Sequence, residues 1–476
     1  MNGAFRVEKD LLGDVPVPSE ALHGAHTERA LADVPPPHRP VHDELARAYG
    51  TVKLACALTN RTLGAWTTDE AKADALERAC RELSDGLLTS AIVVDRLQGG
   101  GGTSLNMNVN ELLANRALQI LGAPLGSYSR VSPLDDAGLH QSANDTFPTA
   151  LRLATITMSR QLEEQVVALQ EAFQCKEQEF AAVVKVGRTQ LQDTVPTTLG
   201  REMGAYAEAL NRDRWRISTC TERLRVVNLG GTAIGTGSCA PRQYVFRVVD
   251  TLREITGIGF ARAENLTEAT QNADDYCEVS GVLRAHAVNL LKICGDLRLL
   301  SSGPDAGLGE IRLPRRLPGS SLAPGRIAPV IPDAVSQTAL LVIGRDTSIT
   351  AAAGLGSLEQ NAYLSLIASC LLDNLEDLAR ACLMLRRSCV EGIEADEVRC
   401  AEHVNSSSAA ALALLPRVGA AAMRAAVAEA HARGTTIRDV VVADGTLTAN
   451  EYDELLSPEA VGRLGTEQQL GRGAED

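Results

Sequence analysis

Long stripes of apolar residues, spaced three or four positions apart, constrain the fold of this chain more than any other feature of its sequence. An α-helix turns once in 3.6 residues, so each stripe would line one face of a helix. Aromatic residues, which favour strands, make up only 3% of the chain. We therefore predict an all-α fold in which these stripes form the core of a helix bundle. The positions are Leu162, Val166, Leu169 and Phe173, then Leu283, Leu290 and Leu297, and finally Ile367, Leu371, Leu375, Leu378, Cys382 and Leu385.

The composition excludes several classes of function. With 476 residues the chain is long enough for two or three domains, and an apolar content of 45% excludes a disordered protein. A formal net charge of −14 argues against nucleic acid or an anionic membrane as the main partner. It does not exclude an anionic substrate, because a pocket can be locally positive. We expect a small-molecule partner, with no nucleic acid and no membrane.

Three local features bear on the compartment. The first ten residues lack the apolar core of a signal peptide. The apolar stretch 409–430 is interrupted by Pro416, Arg417 and Arg424, which oppose insertion into a bilayer. The eleven cysteines include no C-x-x-C pair and have no histidine at zinc-site spacing, so we predict buried thiols and no metal site. Together these features predict a cytoplasmic protein.

A segment rich in glycine, proline and serine runs from Gly319 to Pro329 and reads GSSLAPGRIAP. Taken alone, it indicates only a constrained loop or a linker, because glycine permits positive φ and proline fixes φ. Four other motifs accompany it, at Gln98–Asn110 (QGGGGTSLNMNVN), Gln141–Pro148 (QSANDTFP), Gly187–Asp193 (GRTQLQD) and Asn228–Gly237 (NLGGTAIGTG). The glycines before Thr103 are not a phosphate loop, since the lysine of that motif is missing.

In this order and spacing, the five motifs resemble the fumarase/aspartase superfamily, whose loop usually reads G-S-S-x-M-P-x-K-x-N-P. The resemblance runs from about Val7 to Leu464 and is strongest for the aspartase branch. It implies a mostly helical domain at 1–144, a central long-helix bundle at 145–400 that carries loop 318–329, and a small helical domain at 401–476. It also implies a homotetramer with a twenty-helix core, active sites shared by three protomers, and no cofactor.

The resemblance assigns roles within these motifs. Superfamily enzymes remove a proton beside one carboxylate of a succinyl substrate and expel a leaving group from the neighbouring carbon, releasing fumarate. Ser320 matches the serine that acts as base, and its activation has to come from local donors and backbone dipoles of the loop. The nascent dianion requires hydrogen-bond donors. The positions matched to substrate binding are Thr103, Ser142, Asn144, Thr189, Gln190, Ser321 and Arg326.

Four further positions are assigned to the pocket less directly. Asn106 follows Thr103 by one helical turn, and Ala143 stands between two substrate-binding positions. His26 and Arg29 belong to a block, LHGAHTER, that is similar to a block near the family's active site. A structural ion pair explains Arg29 equally well, and helix caps or turns explain the hydroxyl and amide residues of the motifs.

The chain departs from the family pattern at substrate-facing positions. Arg326 replaces lysine and offers a planar fork suited to groups with two oxygens, whereas Ala328 replaces asparagine and Ala143 replaces threonine. Losing one hydrogen bond to a charged group costs about 1.5–3 kcal/mol unless the substrate differs. These departures favour nitrite, which leaves as a stable anion without a proton donor. They predict a nitrosuccinate lyase that forms fumarate and nitrous acid.

Three other interpretations stay open at this point. Aspartate ammonia-lyase is the main alternative, because Gln190 and the general match suit that branch. An argininosuccinate-like substrate is a further one, although the signatures of that branch are missing. A non-catalytic relative, retained as a structural or binding protein, is opposed by the intact Ser320, Ser321, Thr103 and Asn144.

Overall fold

The protein is described by a computed structural model covering residues 4–465, and most of these residues are helical. The helices are α1 Ala25–Asp33, α2 Asp43–Thr62, α3 Glu70–Ser84, α4 Thr103–Ile120, α5 Ala143–Glu179, α6 Leu199–Arg223, α7 Arg242–Thr256, α8 Leu266–Gln271, α9 Asp274–Leu300, α10 Val330–Ala353, α11 Leu364–Ser388, α12 Glu397–Ser406, α13 Ala410–Arg433, α14 Ile437–Ala443, α15 Ala449–Leu455 and α16 Pro458–Gly462. The predicted all-α fold with a central bundle of long helices is confirmed.

Short strands occur only as two-stranded sheets within residues 4–465. The strands are β1 Phe5–Asp10, β2 Gly13–Pro18, β3 Val184–Thr189, β4 Gln192–Thr198, β5 Val226–Val227, β6 Ala261–Arg262, β7 Ile311–Arg312 and β8 Glu394–Ala395. The pairs β1–β2, β3–β4 and β7–β8 are antiparallel, while β5 and β6 run parallel. Hairpin β3–β4 carries the GRTQLQD motif.

The chain folds into two compact units, each built from three separate stretches. Unit 1 comprises Met1–Glu164, Trp215–Ala287 and Leu340–Ala379, and unit 2 comprises Gln165–Arg214, Val288–Ala339 and Arg380–Asp476. The division into three domains at 144 and 400 stays a prediction.

The predicted apolar stripes are buried. On α11 the six stripe residues from Ile367 to Leu385 are fully inaccessible, and the stripe on α5 from Leu162 to Phe173 is equally buried. Leu283, Leu290 and Leu297 of α9 are also in the core. Because each stripe is continuous over several turns, long helices bury one face without strands.

Several helices begin after an aspartate or threonine that caps the helix, a pattern that can be recognised in the sequence. Asp69 and Asp396 each accept a backbone N–H three residues on, at the starts of α3 and α12. Thr436 and Thr448 form reciprocal capping boxes at the starts of α14 and α15. These caps satisfy N–H groups that have no partner within the helix.

The prediction that all cysteines are buried is wrong at two positions. Cys175 and Cys239 are exposed, Cys277 and Cys370 are partly buried, and the other seven are buried. No disulfide joins any of these eleven cysteines, all of which lie within residues 4–465. Cys175 lies on the outer face of α5, where a small apolar side chain is tolerated in water.

One stretch of the described residues, 397–433, would be long and apolar enough to cross a membrane by length and composition alone. This is weak evidence, because α12 and α13 are separate helices there. Pro416 and Gly419, whose φ is 76°, further interrupt α13.

Candidate active site

The start of α5 is shaped by Pro148, which lies in the second turn and has no N–H group. The carbonyl of Asn144, four residues earlier, therefore loses its helical partner. Asn228 replaces that partner, because its Nδ2 donates to the Asn144 carbonyl at 2.9 Å. Two motifs that are 84 residues apart are joined by this bond. Pro148 thus leaves the Asn144 carbonyl without a helical donor, and Asn228 of the NLGGTAIGTG motif supplies one.

Asp145 is the second link between these motifs. One carboxylate oxygen accepts the N–H of Gly230 at 3.1 Å and of Thr232 at 3.0 Å, while the other accepts the N–H of Ser142 at 2.9 Å. Burial raises the pKa of Asp145 to about 6, against the opposing influence of these backbone donors. Thr232 adopts a φ of 56°, a conformation that costs a residue other than glycine free energy. Asp145 therefore holds the glycine loop in a strained form.

The predicted substrate-binding residues Ser142 and Asn144 lie at this junction. Ser142 Oγ accepts the N–H of Asn144 at 3.2 Å, which leaves its own proton available to donate. Asn144 Nδ2 donates to the carbonyl of Ala233 at 2.7 Å, and Gln360 Nε2 donates to Asn144 Oδ1 at 2.8 Å. Ala143 is buried. The side chain of Asn144 is thereby fixed in orientation by two flanking segments.

Thr103 is the first residue of α4 and follows three consecutive glycines with positive φ. Its hydroxyl donates to the carbonyl of Gly100 at 2.7 Å. A Cβ at Gly102 would lie 2.1 Å from the ring of Phe147, and one at Gly101 would lie 2.2 Å from Gln360 Nε2. The glycines thus allow the start of α4 to approach the start of α5. The positive ends of two helix dipoles therefore lie close together, which makes this a favourable place for an anion.

Ser320 lies in a small exposed turn of unit 2. Residues Gly319 and Pro324 form a β-bridge, and the N–H of Gly325 donates to the carbonyl of Pro318 at 3.0 Å. Within this turn the N–H of Ala323 donates to Ser320 Oγ at 3.2 Å. A backbone donor on Oγ would stabilise the alkoxide form of this serine, as the chemistry of a serine base requires. Ser321, the next residue, is exposed.

Arg326 is exposed, and no carboxylate pairs with it among residues 4–465. It lines a cleft of about 1080 Å³ within unit 2. Four other arginines line the same cleft: Arg298, Arg312, Arg315 and Arg399. Asp305, Asp396 and Glu402 also line it, so five arginines against three carboxylates leave the cleft a positive charge that can attract an anion.

Thr189 and Gln190 lie at the tip of hairpin β3–β4. Gln190 and Leu191 have φ values of 54° and 64°, so the two-residue turn is built from residues that are unusual in this conformation. Thr189 Oγ1 lies 2.8 Å from Thr194 Oγ1 across the hairpin. Strain of this kind is concentrated at functional sites.

A buried charge network supports this hairpin. The fully buried Glu310 accepts from Arg188 at 2.7 Å and lies 3.0 Å from both Lys185 Nζ and His403 Nδ1. Burial opposes ionisation of Glu310, yet Lys185, His403 and Arg188 together hold its pKa below the usual range. Glu310 therefore stays charged and fixes the strand that leads to Thr189.

His26 and Arg29 have structural contacts in unit 1. Arg29 forms a two-pronged ion pair with Asp10, at 2.6 and 2.9 Å. The backbone N–H of His26 donates to the buried Glu111, which accepts three other bonds at the start of α1. Their assignment to the pocket stays a prediction.

The structure divides the predicted site residues between the two units. Thr103, Asn106, Ser142, Ala143 and Asn144 meet at the starts of α4 and α5 in unit 1. Unit 2 carries Thr189, Gln190, Ser320, Ser321 and Arg326. Sequence reasoning missed Asp145, Asn228 and Gln360 as residues that orient the unit 1 cluster. Asp145 and Asn228 stand inside quoted motifs, whereas nothing local marks Gln360.

Groups of three or more histidine, cysteine, aspartate or glutamate side chains suited to a metal ion do not occur among the described residues. The candidate site residues offer hydroxyl, amide, guanidinium and backbone N–H groups instead. That the protein works without a metal or cofactor stays a prediction.

Comparison with known proteins gives a consistent assignment. A protein-family model described as "Lyase" matches residues 13–344. The chain is 44% identical over 462 residues to an aspartate ammonia-lyase of Pseudomonas canavaninivorans, covering 96% of both chains. It is 46% identical over 420 residues to that of Pseudomonas aeruginosa, covering 87% of this chain and 88% of the relative.

A solved structure agrees. The fumarate lyase:delta crystallin from Brucella melitensis bound to cobalt superposes with a TM-score of 0.92 at 43% identity, covering 96% of this chain and all of that one. The chain is therefore a lyase of the fumarase/aspartase superfamily and belongs with its aspartase branch.

Proposed function

We propose that this lyase converts a 2-substituted succinate to fumarate by β-elimination, and that the leaving group is ammonia, which makes L-aspartate the substrate. The observation that carries this proposal is the match, over most of the chain, to relatives named aspartate ammonia-lyase. The intact serines of the loop and the hydroxyl and amide groups at the starts of α4 and α5 support it. This choice revises the expectation from the sequence, which placed nitrosuccinate first.

In the proposed reaction Ser320 removes a proton from the carbon beside one carboxylate. The donation from Ala323 N–H to Ser320 Oγ supports this role, because it stabilises the serine alkoxide. Thr103, Ser142, Asn144 and Ser321 hold the dianionic intermediate. The carbon–nitrogen bond then breaks, and its electron pair leaves with the amine as fumarate forms.

Arg326 grips the far end of the substrate in this proposal, with Thr189 and Gln190 beside it. The active site is assembled from three protomers of a homotetramer, which would combine motifs that lie in different units of one chain. Loop 318–329 closes over the bound dicarboxylate. Leu322, 96% exposed in the open loop, supports closure, because covering this side chain removes apolar surface from water.

Nitrosuccinate is the second candidate, and a specific observation favours it. Arg326 presents an unpaired guanidinium fork where the family has lysine, and Ala328 and Ala143 replace an asparagine and a threonine of the family pattern. A nitro group offers two acceptor oxygens to such a fork and leaves as nitrite.

Parallel assays of purified enzyme with L-aspartate and with 2-nitrosuccinate distinguish the two substrates. Formation of fumarate is followed by its ultraviolet absorbance, with ammonia and nitrite measured separately. Turnover of aspartate supports the proposal, whereas turnover of nitrosuccinate alone, with matching nitrite, replaces it by the second candidate. Fumarate from neither compound would contradict both.

The double variant Arg326→Lys/Ala328→Asn restores the family loop and sharpens this test. If the natural loop is adapted to nitrite, the variant should lose about tenfold or more in kcat/KM for nitrosuccinate, as one charged hydrogen bond is worth about 1.5–3 kcal/mol. If aspartate is the substrate, the variant should match or exceed the natural enzyme with aspartate. Arg315→Lys, at another arginine of the same cleft, is the matched control.

A further inference from the structure

Lys53 of α2 is a buried cation without an ion-pair partner among the described residues. It is 2% exposed. Its ammonium donates to Asn106 Oδ1 at 2.9 Å and to Gln141 Oε1 at 2.7 Å, both neutral amide oxygens. A buried charge usually requires a counter-charge. Asp145 influences Lys53 electrostatically, but its carboxylate accepts hydrogen bonds from three backbone N–H groups instead of the ammonium.

The Lys53 ammonium determines the orientation of the side-chain amides of Asn106 and Gln141. Lysine can only donate, so the atoms that face it must be oxygens. Gln141 Nε2 then reaches the carbonyls of Ala137 and Leu139, each at 3.2 Å, and is satisfied. Asn106 Oδ1 also lies 3.1 Å from Thr146 Oγ1, whose single proton is shared with the Ser142 carbonyl at 2.7 Å. The remaining group, Asn106 Nδ2, has no acceptor within the described part of the chain.

Asn106 lies where the two helix starts of the candidate site meet. It follows Thr103 by one turn of α4, and Thr146, which also bonds its oxygen, follows Ser142 by one turn of α5. An unused amide donor at this place matches the need of a carboxylate, whereas an amide flipped by 180° would present an oxygen and repel it.

We propose that Lys53 is a positioning residue that locks the Asn106 carboxamide with its Nδ2 hydrogens available to a substrate carboxylate, and that its uncompensated charge strengthens binding of the dicarboxylate. This inference rests on the proposed function only in taking a dicarboxylate as the ligand. Lys53 itself does not touch the substrate.

The charge of Lys53 gives the proposal a pH signature. Burial lowers the pKa of Lys53 to about 8, against the opposing influence of Cys56, Asp145 and Cys80. Burial raises the pKa of Cys56 and of Cys80 to about 12 each, and that of Asp145 to about 6. Between pH 7 and 9, Lys53 is therefore the group of this cluster that changes its charge. Affinity for a dicarboxylate should fall as pH rises through about 8.

The test is calorimetric binding of succinate, an unreactive dicarboxylate, to the full chain in its natural assembly. Lys53→Met keeps much of the side-chain volume and removes the charge. We expect about tenfold weaker binding for this variant, since a hydrogen bond to a charged group is worth about 1.5–3 kcal/mol. Its affinity should also no longer change between pH 7 and 9. Lys72→Met is the matched control, because Lys72 of unit 1 bonds the carboxylate of Asp136.

Asn106→Ala, made alone and together with Lys53→Met, completes a double-mutant cycle. If Lys53 acts through Asn106, the double variant should bind succinate no more weakly than Lys53→Met alone. Equal succinate affinity in the natural enzyme and Lys53→Met, or pH-independent binding by the natural enzyme, would overturn the inference. The second measurement needs no variant and decides the matter even if Lys53→Met does not fold.

Failure of the proposed function and failure of this inference give different experimental results. Binding of succinate that depends on Lys53, without turnover of aspartate or nitrosuccinate, would support the inference and contradict the proposed function. A natural enzyme that binds no succinate would contradict both.

Discussion

At the scale of single residues, the proposed mechanism requires that Ser320 become basic enough to remove a proton from carbon. A free serine is a very weak base, and histidine and lysine are missing from the segment 318–329. The structure provides one backbone N–H, from Ala323, directed at Ser320 Oγ. Donors of this kind stabilise the alkoxide without requiring a second titratable side chain.

Replacement of Ser320 by alanine tests this assignment. Ser320→Ala should lower kcat about 10²–10⁴-fold, the usual contribution of a positioned base, while fumarate still binds. Ser321→Ala is the control and should mainly raise KM, since Ser321 is assigned to binding. The measurements are steady-state fumarate formation and calorimetric fumarate binding. Full turnover by Ser320→Ala would exclude it as the base.

At the scale of elements, the turn that carries Ser320 depends on two glycines with positive φ. Gly319 has a φ of 112°, and a Cβ there would lie 2.5 Å from the N atom of Gly325. Gly325 has a φ of 82°, yet a Cβ there would meet nothing within 4 Å. A side chain at Gly319 would therefore meet both a steric clash and an unfavourable φ, whereas one at Gly325 would meet only the unfavourable φ.

The variants Gly319→Ala and Gly325→Ala exploit this difference. Gly325→Ala should cost only the strain of a left-handed residue, about 1–2 kcal/mol within the turn. Gly319→Ala should reduce kcat/KM further, because the Ala323 donor is displaced from Ser320. Both should melt close to the natural enzyme, since the turn is exposed. Equal activity of the two variants would show that the close contact at Gly319 does not shape the site.

At the scale of the whole molecule, large apolar side chains remain exposed on long helices. Leu340 and Leu341 of α10 are 59% and 57% exposed, and Trp215 of α6 is 62% exposed. Exposed apolar side chains on long helices are typical of surfaces that associate with other chains. They support the proposed homotetramer, in which long helices of four protomers form the core.

A charge placed on this surface should prevent association. Leu341→Glu should lower the mass measured by light scattering and abolish turnover, because the proposed site needs three protomers. Leu87→Glu, at a residue of unit 1 that is 71% exposed outside the long helices, is the control and should leave mass and activity unchanged. A fully active monomer would contradict the shared site.

Much of this fold was predictable because its causes are local. An apolar stripe with a period of 3.6 residues describes a helix wherever it occurs, so the buried faces of α5, α9 and α11 could be identified from the sequence. The loop at Ser320 was also predictable, since glycine permits positive φ and proline fixes φ. The exposure of Cys175 and Cys239 was not predictable, because burial depends on what packs against a residue.

The sequence by itself determined the helical architecture and the family, and it predicted which residues carry chemistry. Only the tertiary structure decided how those residues are oriented, because their partners lie far away along the chain. Gln360 reaches Asn144 across 216 positions, and Lys53 reaches Gln141 across 88. A hydrogen bond is directional and acts over about 3 Å, so proximity in space, rather than any local pattern, selects these partners.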